Sequence, residues 1–152
     1  MLKIGILGSD NSHAERFSEV LNLPEHPSFL PDADARIVAI WGEDAAWTQQ
    51  VAQQNRIATI VDEPTAMLDR VDAVLCVTRH GGLHHDLVRP YLQARVPTFV
   101  DKPLAIDPDD ARTIVALAAQ NRTPFAAFSP VRFCASAQQF WQQTRHLGGV
   151  RM

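Results

Sequence analysis

Six short apolar runs recur along the chain, at 2–7, 35–41, 57–61, 72–78, 97–101 and 124–128, and helical patterns separate them. Most of the runs are continuously apolar instead of alternating. Parallel strands covered on both faces have that signature. Strand and helix in strict alternation specify an α/β, Rossmann-type doubly wound parallel sheet of about six strands with right-handed crossovers. In such a sheet the runs 2–7 and 72–78 are central and lie side by side.

The helical stretches carry their own start signals. The first runs over about 12–22 and should bury Ala14, Phe17, Val20 and Leu21. The second starts at Asp44, a good N-cap residue, and should bury Trp47 and Val51. A short third begins near Pro64. A fourth spans about 82–94 with Leu83, Leu87 and Tyr91 on one stripe, and Pro90 should kink it. The fifth has Asp107 as cap, Pro108 at the first helical position and Asp109 and Asp110 at the positive dipole end. Its expected buried face is Ala111, Ile114, Val115 and Ala118. One insertion-like loop, 23–34, holds Pro24, Pro27 and Pro31.

Composition narrows the partners. With 14 basic against 17 acidic side chains, the net charge of -3 offers no footprint for nucleic acid. No stretch approaches the roughly 18 apolar residues of a membrane span. The start MLKIGILGSD has no basic n-region or cleavage site, so a cytoplasmic location is expected. Cys76 and Cys134 form neither a metal motif nor a disulfide framework, and both are expected as small core residues. Lysine is scarcer than arginine: Lys3 and Lys102 stand against twelve arginines.

Ligands of doubly wound sheets bind at the carboxyl ends of the strands, where the strand order reverses. The first such end is Gly8-Ser9-Asp10-Asn11-Ser12-His13, in the context of a dinucleotide fingerprint. Aligned with G-x-G-x-x-G, Gly8 is retained, Asp10 takes the second glycine's place and His13 the third. A carboxylate at the second position faces the pyrophosphate. At about 4 Å and an effective dielectric near 20, like charges repel by about 4 kcal/mol. Asp10-Asn11-Ser12 also reads simply as a helix cap, with Asp10 filling the anion site from inside. The acid that usually holds the ribose hydroxyls should close the second strand. Gly42 stands there, with Glu43 one residue later; Glu43 reads equally as a solvated turn residue.

Two further strand ends complete the picture: Thr78-Arg79-His80-Gly81-Gly82-Leu83-His84 and Asp101-Lys102-Pro103-Leu104-Ala105. With the opening turn, they resemble the nucleotide-binding half of the Gfo/Idh/MocA oxidoreductases. In that family the fourth strand ends in a T-P-N-x-x-H-like turn and the fifth in E-K-P. Asp101-Lys102-Pro103 matches E-K-P with a conservative acid change. Thr78 and His84 match the ends of the other turn, while Arg79 and His80 depart from its Pro-Asn. The segments Phe128-Ser129-Pro130-Val131-Arg132-Phe133 and Leu147-Gly148-Gly149-Val150 resemble the family's link into its second domain.

The resemblance implies a dinucleotide-binding domain over 1–129 and, over 130–152, a linker helix and the start of a second domain. It implies NAD or NADP as cofactor, held weakly because of Asp10, and a sugar, polyol or related hydroxy compound as substrate. Lys102 would sit beside the nicotinamide and the reacting hydroxyl as the catalytic group; a lone lysine at a strand end is well placed to be held and tuned. Gly8, Ser9, Asp10, Asn11, Ser12, His13, Glu43, Thr78, Arg79, His84, Asp101 and Pro103 would line the cofactor cleft. The Lys102–Pro103 bond suits a cis turn. His13, His80 and His84 with Asp10 have no known metal-ligand spacing, and no metal is expected. Two other readings stand beside this one. One is a Rossmann-like binding or regulatory domain that has lost the dinucleotide. The other is an assembly domain whose 135–146 helix, with Phe140 and Trp141, mediates a homo-oligomer.

Overall fold

A computed structural model describes residues 1–147. Its elements run β1 (Leu2–Leu7), α1 (Ser12–Asn22), β2 (Ala35–Trp41), α2 (Ala45–Gln54), β3 (Thr59–Ile60), β4 (Ala73–Cys76), α3 (His84–Gln93), β5 (Thr98–Val100), α4 (Pro108–Asn121), β6 (Phe125–Ala127) and α5 (Ala135–Thr144). Short 3-10 turns occupy Pro64–Met67, Pro130–Phe133 and Arg145–Leu147. The strands form one sheet in the order β3-β2-β1-β4-β5-β6, every neighbouring pair parallel. β1 and β4 are adjacent as expected, with Leu7 opposite Cys76. The chain moves outward from β1 in one direction and from β4 in the other. Their carboxyl ends therefore flank the switch point, and a cleft opens there.

The pleat divides the core in two. Ile4 and Ile6 of β1, with Ile37 and Ile40 of β2, pack under α1 and α2 against Ala14, Val51 and Ala52. Leu7, Val74, Cys76 and Val100 point to the other face, against Tyr91 and Leu92 of α3 and Ile114 and Ala118 of α4. Successive side chains of a strand alternate between faces, so apolar runs without polar gaps can fill both layers.

Several expected faces shift by a residue. The stripe that α1 buries is Ala14, Ser18 and Asn22, one every four residues, while Phe17 and Leu21 are only half-buried. Polar residues can occupy that stripe because each is satisfied. Ser18 donates to the Ala14 carbonyl at 2.7 Å. Asn22 donates to the carbonyls of Ile37 and Asn55 at 2.9 and 3.0 Å and accepts from the Ile37 N–H at 2.9 Å. On α2, Thr48, Val51 and Ala52 are buried and Trp47 is 42% exposed. Asp44 spends its side chain on the Trp47 N–H, which puts that residue in the first turn with its ring outward. On α4, Val115 is 50% exposed, beside the buried Ile114. α2, α3 and α4 are each followed, two residues or fewer after their last turn, by an arginine in the left-handed region: Arg56, Arg95 and Arg122 at φ 54°, 62° and 55°.

Beyond β6 the packing changes. Val131, Phe133, Phe140 and Trp141 are all exposed, and Cys134 is exposed as well, contrary to the core place expected of it. Of the strand expected over 147–150, only Leu147 is among the described residues, at the end of a 3-10 turn. No described helix is long and apolar enough to cross a membrane.

Candidate functional site

The chain leaves β1 through Gly8, whose φ of +106° suits only glycine; a Cβ there would lie 2.6 Å from the Thr78 backbone nitrogen. Close approach of the two turns is thus built in. Ser9 follows, fully buried, its Oγ 2.8 Å from Thr48 Oγ1. Thr48 donates its single hydroxyl proton to the Asp44 carbonyl at 2.6 Å, so Ser9 is the donor between the two hydroxyls.

Asp10 does not cap α1. That role belongs to Asn11, whose Oδ1 accepts from the His13 N–H at 2.6 Å while its amide nitrogen donates to the Val77 carbonyl. Asp10 instead accepts from the Arg79 backbone N–H at 3.1 and 3.3 Å through its two oxygens. Its carboxylate is held against the β4 turn, off the helix axis. His13 reaches across β4 to β5, with Nδ1 2.6 Å from Asp101 Oδ2. Four consecutive residues of the first turn, Asp10 to His13, thus contribute three ties to the strands beside them, with only Ser12 making none of these.

At the end of β5, Asp101 donates its N–H to the Cys76 carbonyl at 2.9 Å and is 3% exposed. Lys102 Nζ lies 3.9 Å from the same Asp101 Oδ2, with its side chain 55% exposed. The Lys102–Pro103 bond is cis. The loop that follows is fastened by His84, which is fully buried. Its Nδ1 is 3.2 Å from the Leu104 carbonyl and its Nε2 3.1 Å from the Thr78 carbonyl. His84 therefore stands behind the cleft wall and joins the β4 turn to the β5 loop.

These turns enclose a cleft of about 310 Å³ lined by Asn11, Ser12, His13, Thr78, Arg79, Asp101 and Lys102. An apolar groove of about 490 Å³ adjoins it and shares His13 and Asp101. Phe17, Phe99, Phe128 and Phe133 form an edge-to-face chain there, with centroids 5.8, 5.1 and 5.0 Å apart. Glu43 is exposed beyond the end of β2. Gly42, in the place of the usual ribose acid, has no room for a side chain: a Cβ would lie 2.0 Å from Ser9 Oγ and 2.5 Å from Thr48 Oγ1. Under the cleft, burial pushes the Cys76 thiol up to about 12, against a weaker opposing effect of hydrogen bonds from Thr78. Cys134 goes the other way, its thiol lowered by the Ser136 hydroxyl and the Ala137 N–H.

Most of the expected site residues converge. Gly8 and Ser9 form the turn's base, Asn11 to His13 with Thr78, Arg79, Asp101 and Lys102 line the cleft, and Pro103 and His84 brace it. The sequence did not signal Thr48, the Asp10–Arg79 tie or the His13–Asp101 pair. The last joins residues 88 apart.

The model of the Gfo/Idh/MocA oxidoreductase family, described as an oxidoreductase family with an NAD-binding Rossmann fold, matches residues 2–128. The chain belongs to this family. An inositol 2-dehydrogenase of Paracoccus denitrificans is 32% identical over 121 residues, which cover 75% of this chain and 32% of that protein. The biliverdin reductase of Synechocystis, solved with biliverdin and NADP+, superposes with a TM-score of 0.77 at 21% identity, over 98% of this chain and 44% of that one. The scyllo-inositol dehydrogenase of Lactobacillus casei, solved with NAD(H) and scyllo-inositol, gives 0.74 at 20% identity, over 95% and 42%. The chain thus spans about a third of the length of the curated relative and less than half of these solved chains.

The family implies a dinucleotide, and the residues present fit one. Gly8 gives the tight first turn, α1 presents its N-terminus to the cleft, and Asp10 is drawn aside onto Arg79. Asn11, Ser12, His13, Thr78, Arg79, Asp101 and Lys102 line the cleft that such a group would enter.

Proposed function

We propose that this chain is the cofactor-binding part of an NAD(P)-dependent dehydrogenase acting on a sugar, polyol or related hydroxy compound. The observation that carries the reading is Lys102. It stands at the end of β5 beside the buried Asp101, facing α1 across the cleft. The family membership and the inositol dehydrogenase relatives support the same substrate class.

When bound, the dinucleotide supplies the acceptor for a hydride. The chain's own residues do the rest. The Lys102 ammonium donates a hydrogen bond to the reacting hydroxyl oxygen and stabilises the negative charge that develops on it. The buried Asp101 carboxylate, 3.9 Å away, draws that ammonium toward the cleft. His84 and Pro103 fix the loop that carries it, so the backbone at Lys102 is presented with little freedom to lose. A substrate pocket needs walls above this cleft, and we assign them to a second domain that residues 130–152 lead into. Dinucleotide binding by this chain is expected in the high micromolar range, because phosphates at the first turn would meet the nearby Asp10 carboxylate.

The test has two parts. NAD and NADP titrated into the chain should quench Trp41, at the end of β2, with saturation for at least one of them. The whole protein, offered a panel of polyols and sugars with that cofactor, should reduce it. No saturation with either dinucleotide, or no reduction with any hydroxy compound, overturns the reading.

A further inference from the structure

We propose that Asp44 sets the choice of dinucleotide: its carboxylate occupies the N-terminus of α2 from inside, so that the end of β2 admits the free 2′-hydroxyl of NAD and turns away the 2′-phosphate of NADP. The proposal rests on the dinucleotide reading above and deepens it. A doubly wound domain can take a phosphate at this strand end in two ways. One is a cation that follows the strand, and the other is the free N–H groups of a helix start. Both are closed in this chain.

The cation is missing. Residues 42–54 hold neither lysine nor arginine, and neither does the first turn over 8–12. The charged side chains that follow β2 and its neighbour β3 are all of one sign. Glu43 and Asp44 come after β2, Asp62 and Glu63 after β3, and all of them are exposed. None forms an ion pair among the described residues. The cations of the cleft, Arg79 and Lys102, follow β4 and β5, and β1 lies between those strands and β2. A rim of like charge lowers the local concentration of an anion.

The helix start is taken. Asp44 Oδ1 accepts from the Trp47 N–H at 2.9 Å, so the positive end of α2 already faces a carboxylate. That carboxylate is not free to step aside, because its own backbone is held. The Asp44 carbonyl accepts from the Thr48 N–H at 2.9 Å and from the Thr48 hydroxyl at 2.6 Å, and Ser9 holds Thr48 at 2.8 Å. Gly42 lies wedged against Ser9 and Thr48 and has no room for the acid that such domains place there. Discrimination therefore passes to Asp44. Its Oδ2 accepts no hydrogen bond among the described residues and is left for the ribose hydroxyl.

The test is calorimetric titration of NAD and of NADP into the chain. At low ionic strength NAD should bind about tenfold more tightly, about 1.4 kcal/mol. Asp44→Asn keeps a good cap and removes the charge, and it should shrink the gap to about threefold or less, mainly through tighter NADP. Asp44→Ser, another good cap, should do the same, and unfolding midpoints in urea report whether either variant has lost its fold. Salt should narrow the gap in the unmodified chain between about 0.01 M and about 1 M, as the Debye length falls from about 30 Å to about 3 Å. NADP bound as tightly as NAD, or a gap that survives both variants, overturns the proposal and leaves the dinucleotide reading standing. A gap that ignores salt, or one that Glu43→Gln removes and Asp44→Asn does not, overturns it as well. If neither dinucleotide binds, the dinucleotide reading falls and the assignment of Asp44 falls with it.

Discussion

At the ends of β1 and β2 the cleft is filled from within by small polar groups, whereas at the ends of β4 and β5 it is lined by the charged residues Arg79, Asp101 and Lys102. Ser9, Thr48 and Gly42 interlock so closely that the place of the usual ribose acid takes no side chain, and Asp10 is tied to Arg79. On the other side Asp101 is buried with Lys102 and His13 on one oxygen. The difference teaches that the two halves of one cleft can be built in different ways, one closed by packing and the other lined by charge. This chain departs from the fingerprint at the end of β1 and keeps Asp101-Lys102-Pro103 at the end of β5, where we propose that the chemistry lies.

The largest effect should come from the chemical end. In the whole protein Lys102→Ala should lower kcat by about 10²–10⁴ while dinucleotide affinity barely moves, the pattern of an interaction made mainly in the transition state. Steady-state kinetics beside a binding titration would measure both; an unchanged kcat would erase the contrast. Next comes the interlocked end. Gly42→Ala should destabilise the chain by about 1–3 kcal/mol in denaturant unfolding, because Ser9 Oγ must yield and its bond to Thr48 breaks. Full tolerance would mean that end is soft.

A smaller change should follow from Asp10→Gly, which frees the Arg79 N–H and removes a carboxylate from beside the first turn. Dinucleotide affinity should rise about tenfold, about 1.4 kcal/mol. Weaker binding would mean that Asp10 contacts the cofactor. The least costly test compares thiols. Cys134, exposed and lowered, should be alkylated in the native chain along a pH curve displaced to the acid side of an ordinary cysteine, since the thiolate is the reacting form. Cys76, buried under the β4 end and pushed up to about 12, should react only on unfolding. Native labelling of Cys76 would show that the floor of the cleft opens.

The periodic parts of this molecule could be read from sequence because their cause is local. Leu2–Leu7 and Ala35–Trp41 are strands as bounded, and Asp44 and Asp107 cap the helices that follow them. Asp101, Lys102 and Pro103 were legible through a short motif at a strand end. What escaped depends on partners distant in sequence. Asp10 and Asn11 are equally good caps by composition, and only the Arg79 N–H, 69 residues away, decides between them. Ser18 and Asn22 look like surface residues until their acceptors are in place. Cys134 resembles a core thiol because residue type carries no information about what lies above the sheet edge.

Asn22 has a bearing on how the chain tolerates change. Its amide imitates one residue of backbone, gripping β2 and the end of α2 while belonging to α1. The three elements are thereby fastened without help from the covalent connection at 23–34. That connection becomes a tether of adjustable length. By loop-closure entropy alone, doubling it costs about 0.6 kcal/mol. A tag, a reporter or an entire foreign domain grafted between Pro24 and Asp34 would leave the switch-point cleft, at the opposite end of α1, undisturbed.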